Sequence, residues 1–369
     1  TKLNYILPKI INYKVNNADI KSVNLKILLK RDKSTDLKIN NLNLKIKDNK
    51  INISSKVIFE GQNINFNNQC YIQDNNSICK VISSEINPSI ISKFFAQFPK
   101  QHGIKTKISS NLTFKSNNLE DNIYFILYSD KGSFDNKAIF QDVVLFNDFI
   151  ISGKYTLQTK SFNIEDFSLK LIDDTLLKGN INIPNIFKSK LEVNLSLNNL
   201  TRENTHKLWP IIIPKDDRIK RWVLKHIKSF NIDNSNILMK FNDNHLTDIA
   251  AKFDFRDATI LYDRYFPTIY DASGVAYFDK ESMKIDVEKA NVLNSKIKNS
   301  KIIIADFKQK NTPLQIKGQI IGRAEDLLKH VSYQSDFAKN IGNYINGYSN
   351  SYIDLFIPIK AKIELSNIY

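Results

Sequence analysis

Five histidines, two cysteines and several paired carboxylates are the residues of this sequence whose chemistry could reach beyond packing. His102, His206, His226, His245 and His330 are scattered, with no HExxH or comparable arrangement that would place two imidazoles on one metal. His226 falls near the apolar side of an expected helix, where a part-buried structural histidine is the ordinary reading. The carboxylate pairs Asp173-Asp174 and Asp216-Asp217 fall at a turn and a helix start, where capping is their usual work. Gly318 to Gly322 lies inside an alternating segment, so it reads as strand or turn glycine and not as a phosphate cradle. No GxSxG, GxGxxG or Walker loop occurs. No catalytic residue, metal site or cofactor is therefore expected, and the chain reads as a non-enzyme.

The cysteines, Cys70 and Cys79, flank Asp74-Asn75-Asn76. A two-residue turn at Asp74-Asn75 would pair residue 70 with 79 at a non-hydrogen-bonded site, where Cα atoms lie about 4.5 Å apart. That distance admits a disulfide. A bridge made in an oxidising compartment and two buried thiols in a reducing one both remain open.

The elements that must position these residues are strands. Apolar residues recur at every second position from end to end: Val23, Leu25, Ile27, Leu29; Leu191, Val193, Leu195, Leu197; Met283, Ile285, Val287; Ile353, Leu355, Ile357. Lys, Asn, Ser, Asp and Glu stand between them. Each strand has one dry and one wet face, as in antiparallel sheet. Only three segments read as helical: 88–98 behind Asn87-Pro88, 216–230, and 325–341. Three short helices cannot cover so many dry faces. The sheet must close on itself, pack on another sheet, or hold something apolar that is not protein. The fold class expected is mainly β, a long curved antiparallel sheet forming an open apolar groove. A repeated meander is also expected, because Gly153-Lys-Tyr-Thr-Leu, Phe162-Asn-Ile and Phe167-Ser-Leu-Lys-Leu resemble Gly274-Val-Ala-Tyr-Phe, Met283 to Val287 and 301–304.

Charge adds less than its size suggests. Lys and Arg number 53 against 38 Asp and Glu, a net of +15, which ordinarily points to an acidic partner. Yet about one residue in eight is Asn, and Lys and Ile are each at least as abundant, a bias that an AT-rich coding sequence produces. Lys alternates through the strands and Arg is rare, so nucleic acid is not expected as a partner. The basic segment Lys215 to Lys228 reads as an amphipathic helix docked by Trp222, Ile227 and Phe230. No stretch approaches the roughly 20 apolar residues that cross a bilayer. The start at Thr1 suggests a fragment or processed piece of a longer chain.

The most specific stretch is Leu208-Trp209-Pro210, then Pro214, then Arg221-Trp222 in a basic amphipathic segment. Behind it come Phe266-Pro267, Ser273-Gly274-Val-Ala-Tyr-Phe278, Ile316-Lys-Gly318-Gln-Ile-Ile-Gly322, Asp326-Leu327-Leu328 and Phe356-Ile-Pro358. In this order the motifs resemble the central region of YhdP-like proteins of the AsmA-like superfamily, over about 200 to 360. Residues 1–200 agree in texture only, so the organisation expected is 1–200 as a β-rich segment and 201–369 as the family-like one. One departure is Lys228-Ser229-Phe230, where the family usually has Gly after the Trp helix. The resemblance implies an envelope protein tethered to the inner membrane by an N-terminal anchor outside these residues. It also implies a periplasmic apolar groove that carries phospholipid between inner and outer membranes, with acyl chains and membrane components as partners. Leu191, Val193, Leu195, Leu197, Met283, Ile285, Val287, Ile353, Leu355 and Ile357 are the groove candidates. Trp209, Pro210, Pro214, Arg221, Trp222, Pro267, Gly274, Gly318 and Gly322 are structural motif positions. The alternative is a closed β-solenoid or sandwich, a scaffold or adhesin with a side-chain-filled core. A carbohydrate-active protein is disfavoured, because alternation sends the carboxylates outward.

Overall fold

A computed structural model describes residues 16–358 apart from 30–32, 60, 74–75, 89–102, 118, 136–139, 141, 189, 209–222, 244, 262–266, 307–311 and 327–344. The chain is mainly antiparallel β, and it clusters into two units: unit 1 comprises residues 1–173, 178–192 and 242–244, and unit 2 the remainder. Each is described by itself.

Unit 1 is a meander. Strands β1 (Asn17–Leu29), β2 (Lys33–Lys47), β3 (Lys50–Phe59), β4 (Gln62–Gln73) and β5 (Asn76–Ile86) pair each with the next. β5 then pairs with β7 (Ile108–Ser116), β7 with β8 (Asp121–Ser129), β8 with β10 (Val144–Thr156), and β10 with β11 (Ser161–Leu171). Two short strands, β6 (Ile104–Lys105) and β9 (Gly132–Phe134), extend the β10 edge at one end. The alternation expected from sequence is present: on β4, Ile64, Cys70 and Ile72 are buried while Asn63, Asn65, Asn67, Gln69 and Tyr71 face water. Two clusters form on the dry face, one of Ile46, Ile51, Cys70, Ile72 and Cys79, the other of Val57, Phe59 and Ile64. Phe134, Phe146, Phe149 and Phe167 make a chain of ring contacts 4.9–6.4 Å apart.

β12 (Leu176–Ile183) and β13 (Lys190–Thr201) span the boundary between the units. In unit 2, α1 (Arg202–Leu208) follows, then β14 (Ile227–Asn242), β15 (His245–Ile260), β16 (Ile269–Asp279), β17 (Met283–Val292), β18 (Ser295–Ile304), β19 (Pro313–Arg323) and β20 (Tyr348–Pro358). From β15 to β20 every strand pairs antiparallel with the next. No described pairing joins β20 back to β15.

A feature not anticipated from sequence crosses unit 2. Each strand from β13 to β18 has a place within it where two successive residues both turn outward, after which the dry set changes parity; β14 and β15 have a second near their starts, at Lys228-Ser229 and Thr247-Asp248. The doubled pairs within the strands are Asn198-Asn199, Asp233-Asn234, Arg256-Asp257, Tyr270-Asp271, Glu288-Lys289 and Lys298-Asn299. Four have a positive φ: Asn199 (56°), Asp257 (53°), Asp271 (51°) and Asn299 (47°). Asn and Asp tolerate the left-handed region because their short side chains hydrogen-bond locally. The doubling acts as a bulge, which bends and twists a strand while keeping Ile, Leu and Phe on one side.

The helical expectations need correction. The helix expected over 216–230 stops by His226, and Ile227 onward is strand, with Phe230 and Ile232 on the buried face of β14. Its exit needs no glycine: the Arg202 guanidinium donates to the Leu224 carbonyl at 3.0 Å and the Ile227 carbonyl at 2.7 Å. Helix α1 was not anticipated. Thr201 caps it, its Oγ1 accepting from the Asn204 amide at 3.4 Å. Gly318 and Gly322 both lie within the alternating strand β19. Only Pro88 of the 88–98 helix and 324–326 at the start of the third are among the described residues.

The meander repeat has a concrete basis. Gly153 faces Phe125 and Ile164; Gly274 faces Phe255 and Val287. A Cβ on either would lie 2.1 Å from a backbone carbonyl oxygen, that of Asn163 or Asp286. The third piece is corrected: Phe167 to Leu171 continues β11 past a doubled pair, Glu165-Asp166, so its counterpart is Ala290 to Val292 on β17 and not 301–304.

Candidate functional site: the apolar face

The cross-strand ladder sorts the dry face of unit 2 into rows. One row runs Phe278, Met283, Ile304, Leu314, Ile357 from β16 to β20. The next runs Ala276, Ile285, Ile302, Ile316, Leu355. Five strands at about 4.8 Å make each row about 19 Å wide. Met283 and Leu314 are buried, Ile285, Ile302 and Ile316 half-buried, and Leu355 is 38% exposed. Phe253 meets Phe278 edge-on at 5.9 Å.

A third row changes character, with Gly274, Val287 and Ser300 on one side and Gly318 and Ile353 on the other. Here a Cβ on Gly318 would lie 1.8 Å from Ser300 Oγ, and one on Gly322 2.1 Å from Ser295 Oγ. The glycines admit the two serines, and Ser295 Oγ is buried without a hydrogen-bond partner. The face thus passes from bulky aliphatic rows to a small, weakly polar one.

The register brings six candidates together: Met283, Ile285 and Val287 share rows with Ile357, Leu355 and Ile353. Leu191, Val193, Leu195 and Leu197 share the dry side of β13, with Val193 and Leu197 buried. Ser235 fastens β14 to that strand, accepting from the Leu197 amide at 2.9 Å. Pro267 is half-buried ahead of β16. Trp209, Pro210, Pro214, Arg221 and Trp222 lie outside the described residues. Arg202, Ser295 and Ser300 were missed; the signals available were Thr201 ahead of a Glu-containing turn, and serines opposite glycines once the register is known.

In unit 1, Cys70 and Cys79 are direct cross-strand partners with Cα atoms 4.1 Å apart and the sulfurs bonded. Both lie on the dry face, 5% and 4% exposed.

Among the described residues, no group of three His, Cys, Asp or Glu is placed to hold a metal ion. His226 Nδ1 lies 2.9 Å from the Leu261 carbonyl and ties the short helix to the end of β15. Perturbed titrations lie on turns, on the wet face and at Glu325 in the helical residues 324–326. The Asp279 carboxyl is held below its ordinary value chiefly by the Ser282 hydroxyl, then by the Glu281 amide. The Lys284 ammonium is raised by its hydrogen bond to Asp286. What the dry face offers is contact with apolar groups. Among the described residues no helix is long and apolar enough to cross a membrane.

No curated protein and no solved structure matches this chain. A family model, described as YhdP protein, matches residues 213–366, which include all of β14 through β20. Through that region the chain is similar to the YhdP family.

Proposed function

We propose that the apolar face of unit 2 is a lipid-holding surface in an envelope protein that moves phospholipid between membranes, without bond chemistry. The observation that carries this reading is the pair of aliphatic rows from β16 to β20, within the family-matched residues, whose members Ile285, Ile302, Ile316 and Leu355 remain part-exposed. Apolar surface left in contact with water forgoes about 25 cal/mol per Å². An acyl chain laid across the rows recovers that energy and itself leaves water. The wet faces, rich in Lys and Asn, keep the strands hydrated.

The experiment is native mass spectrometry and solvent extraction of the purified chain. Co-purified phospholipid, displaced when Ile302 and Ile316 are changed to Ser, is the expected result. Lipid-free protein that takes up no fluorescent acyl probe would sink the proposal. A scaffold whose dry faces are covered by protein is the second reading, favoured by the tightly buried clusters of unit 1, where Ile51 and Phe146 are each 2% exposed. It predicts no probe uptake by either unit.

A further inference from the structure

The wet face of β3, β4, β5, β7 and β8 in unit 1 differs from its surroundings. Its outward positions from Lys50 to Tyr128 hold Lys, Asn, Gln, Ser, Thr, Tyr and Ile, and the first carboxylate met is Glu85 at the far end of β5. Acidic groups stand at the rim, where Glu85 pairs with Lys107 at 2.7 Å and Glu120 with Lys154 at 3.9 Å. Lys50, Lys56, Lys80 and Lys115 have no carboxylate partner among the described residues. Lys115 Nζ and Lys154 Nζ stand 4.8 and 5.8 Å from the Tyr124 ring.

Apolar groups lie exposed between these lysines. Tyr71 (42%) pairs directly with Ile78 (44%), and Ile82 (40%) and Ile126 (44%) flank Asn111 in one row, with Tyr128 (43%) one step on. Surface isoleucines scattered singly need no explanation, but here they share a patch with unpaired cations. A soluble polyanion would use the lysines and leave the isoleucines idle. A bilayer uses both, since ammonium groups meet phosphates, Tyr favours the headgroup level, and Ile reaches the acyl boundary. We propose that this face docks on the surface of a bilayer containing anionic phospholipid. The proposal concerns the outward face of unit 1 and stands whether or not the dry face of unit 2 holds lipid.

The test is co-sedimentation of the full chain with phosphatidylcholine vesicles, with and without about one third phosphatidylglycerol, a content giving a surface potential that attracts Lys. Binding is expected only to the anionic vesicles, with release at about 0.5 M salt, where screening shortens to a few Å. Lys80→Gln with Lys115→Gln should lower partitioning by roughly 25-fold, about fivefold per lysine. Lys289→Gln with Lys298→Gln, on unit 2, removes the same charge and should change it by less than about threefold if the unit 1 face is the contact. Ile82→Ser with Ile126→Ser should weaken binding while leaving its salt dependence unchanged. An unchanged thermal transition verifies that these outward substitutions leave the fold intact. Equal losses from the two lysine pairs, equal binding to uncharged vesicles, or heparin binding as tight as vesicle binding with no effect of the isoleucine changes would each overturn the proposal.

Discussion

Reducing the Cys70–Cys79 bond alters one cross-link and no side-chain volume, so its consequence can be worked directly. The bridge closes a loop with a sequence separation of 9. In the chain-entropy treatment a loop of that length restricts the unfolded chain by about 2.6 kcal/mol at 25 °C. Both sulfurs lie in the cluster with Ile46, Ile51 and Ile72, so the reduced thiols stay packed as small apolar groups and the native contacts persist. The loss should therefore appear as easier opening of β4 and β5. A change of about 2.6 kcal/mol corresponds to amide exchange about 80 times faster in peptides covering 62–86. The assay is hydrogen–deuterium exchange with and without a phosphine reductant, after alkylation has established the starting state. The chain has two tryptophans, Trp209 and Trp222, both in unit 2, so their fluorescence supplies an internal control that should not move. Exchange over 62–86 that changes by less than about twofold would refute the entropic argument. Ready alkylation of the native protein before reduction would refute the bond itself.

Other perturbations have equally definite outcomes. Gly274→Ala and Gly153→Ala each push a Cβ to 2.1 Å from a carbonyl oxygen, so each should destabilise by about 1–3 kcal/mol in denaturant unfolding. Gly61→Ala meets open space and should cost only its φ of +76°, about 1 kcal/mol. Arg202→Met leaves the Leu224 and Ile227 carbonyls without their charged donor and should cost about 2 kcal/mol, seen as faster exchange in 223–230. Asp279→Ala removes the acceptor of the Glu281 and Ser282 amides in the β16–β17 turn and should cost about 1 kcal/mol near neutral pH. Because the folded-state pKa of Asp279 is depressed, the wild-type advantage is present above the ordinary carboxylate value and is lost as pH falls through the folded one, so the two proteins should converge in acid.

The strands were legible because alternation is a local property: Ile64 to Ile72 on β4 can be read without knowing any partner. The Cys70:Cys79 register was legible for the same reason, since a two-residue turn determines the pairing of its own hairpin. Where alternation breaks, local reading fails. Phe162-Asn-Ile and Phe167 to Leu171 read as separate pieces because Glu165-Asp166 breaks the alternation between them, whereas the ladder carries β11 straight through. Helix α1 was missed because Leu195 to Leu200 suggests strand and draws attention away from the Thr201 cap. The rows joining Met283 with Ile357, and the serines set against Gly318 and Gly322, depend on pairing across strands and have no signature in any one of them.

The doubled pairs of β13 to β18 also bear on how such a chain avoids misassembly. Strands built from Ile, Lys and Asn are nearly interchangeable along their length, and a slide by two residues keeps every apolar side chain on the dry face. Alternation alone therefore leaves many offsets close in energy. A strand with one parity break can match its neighbour's break at a single offset: Val287 opposite Ser300 and Ala290 opposite Ile297 satisfy both strands, and a two-residue slide would turn part of the dry set toward water. The Asn and Asp that turn outward serve as alignment marks, and substituting Asn299 or Asp257 by a β-branched residue should increase off-register species during refolding more than it lowers the stability of the finished sheet.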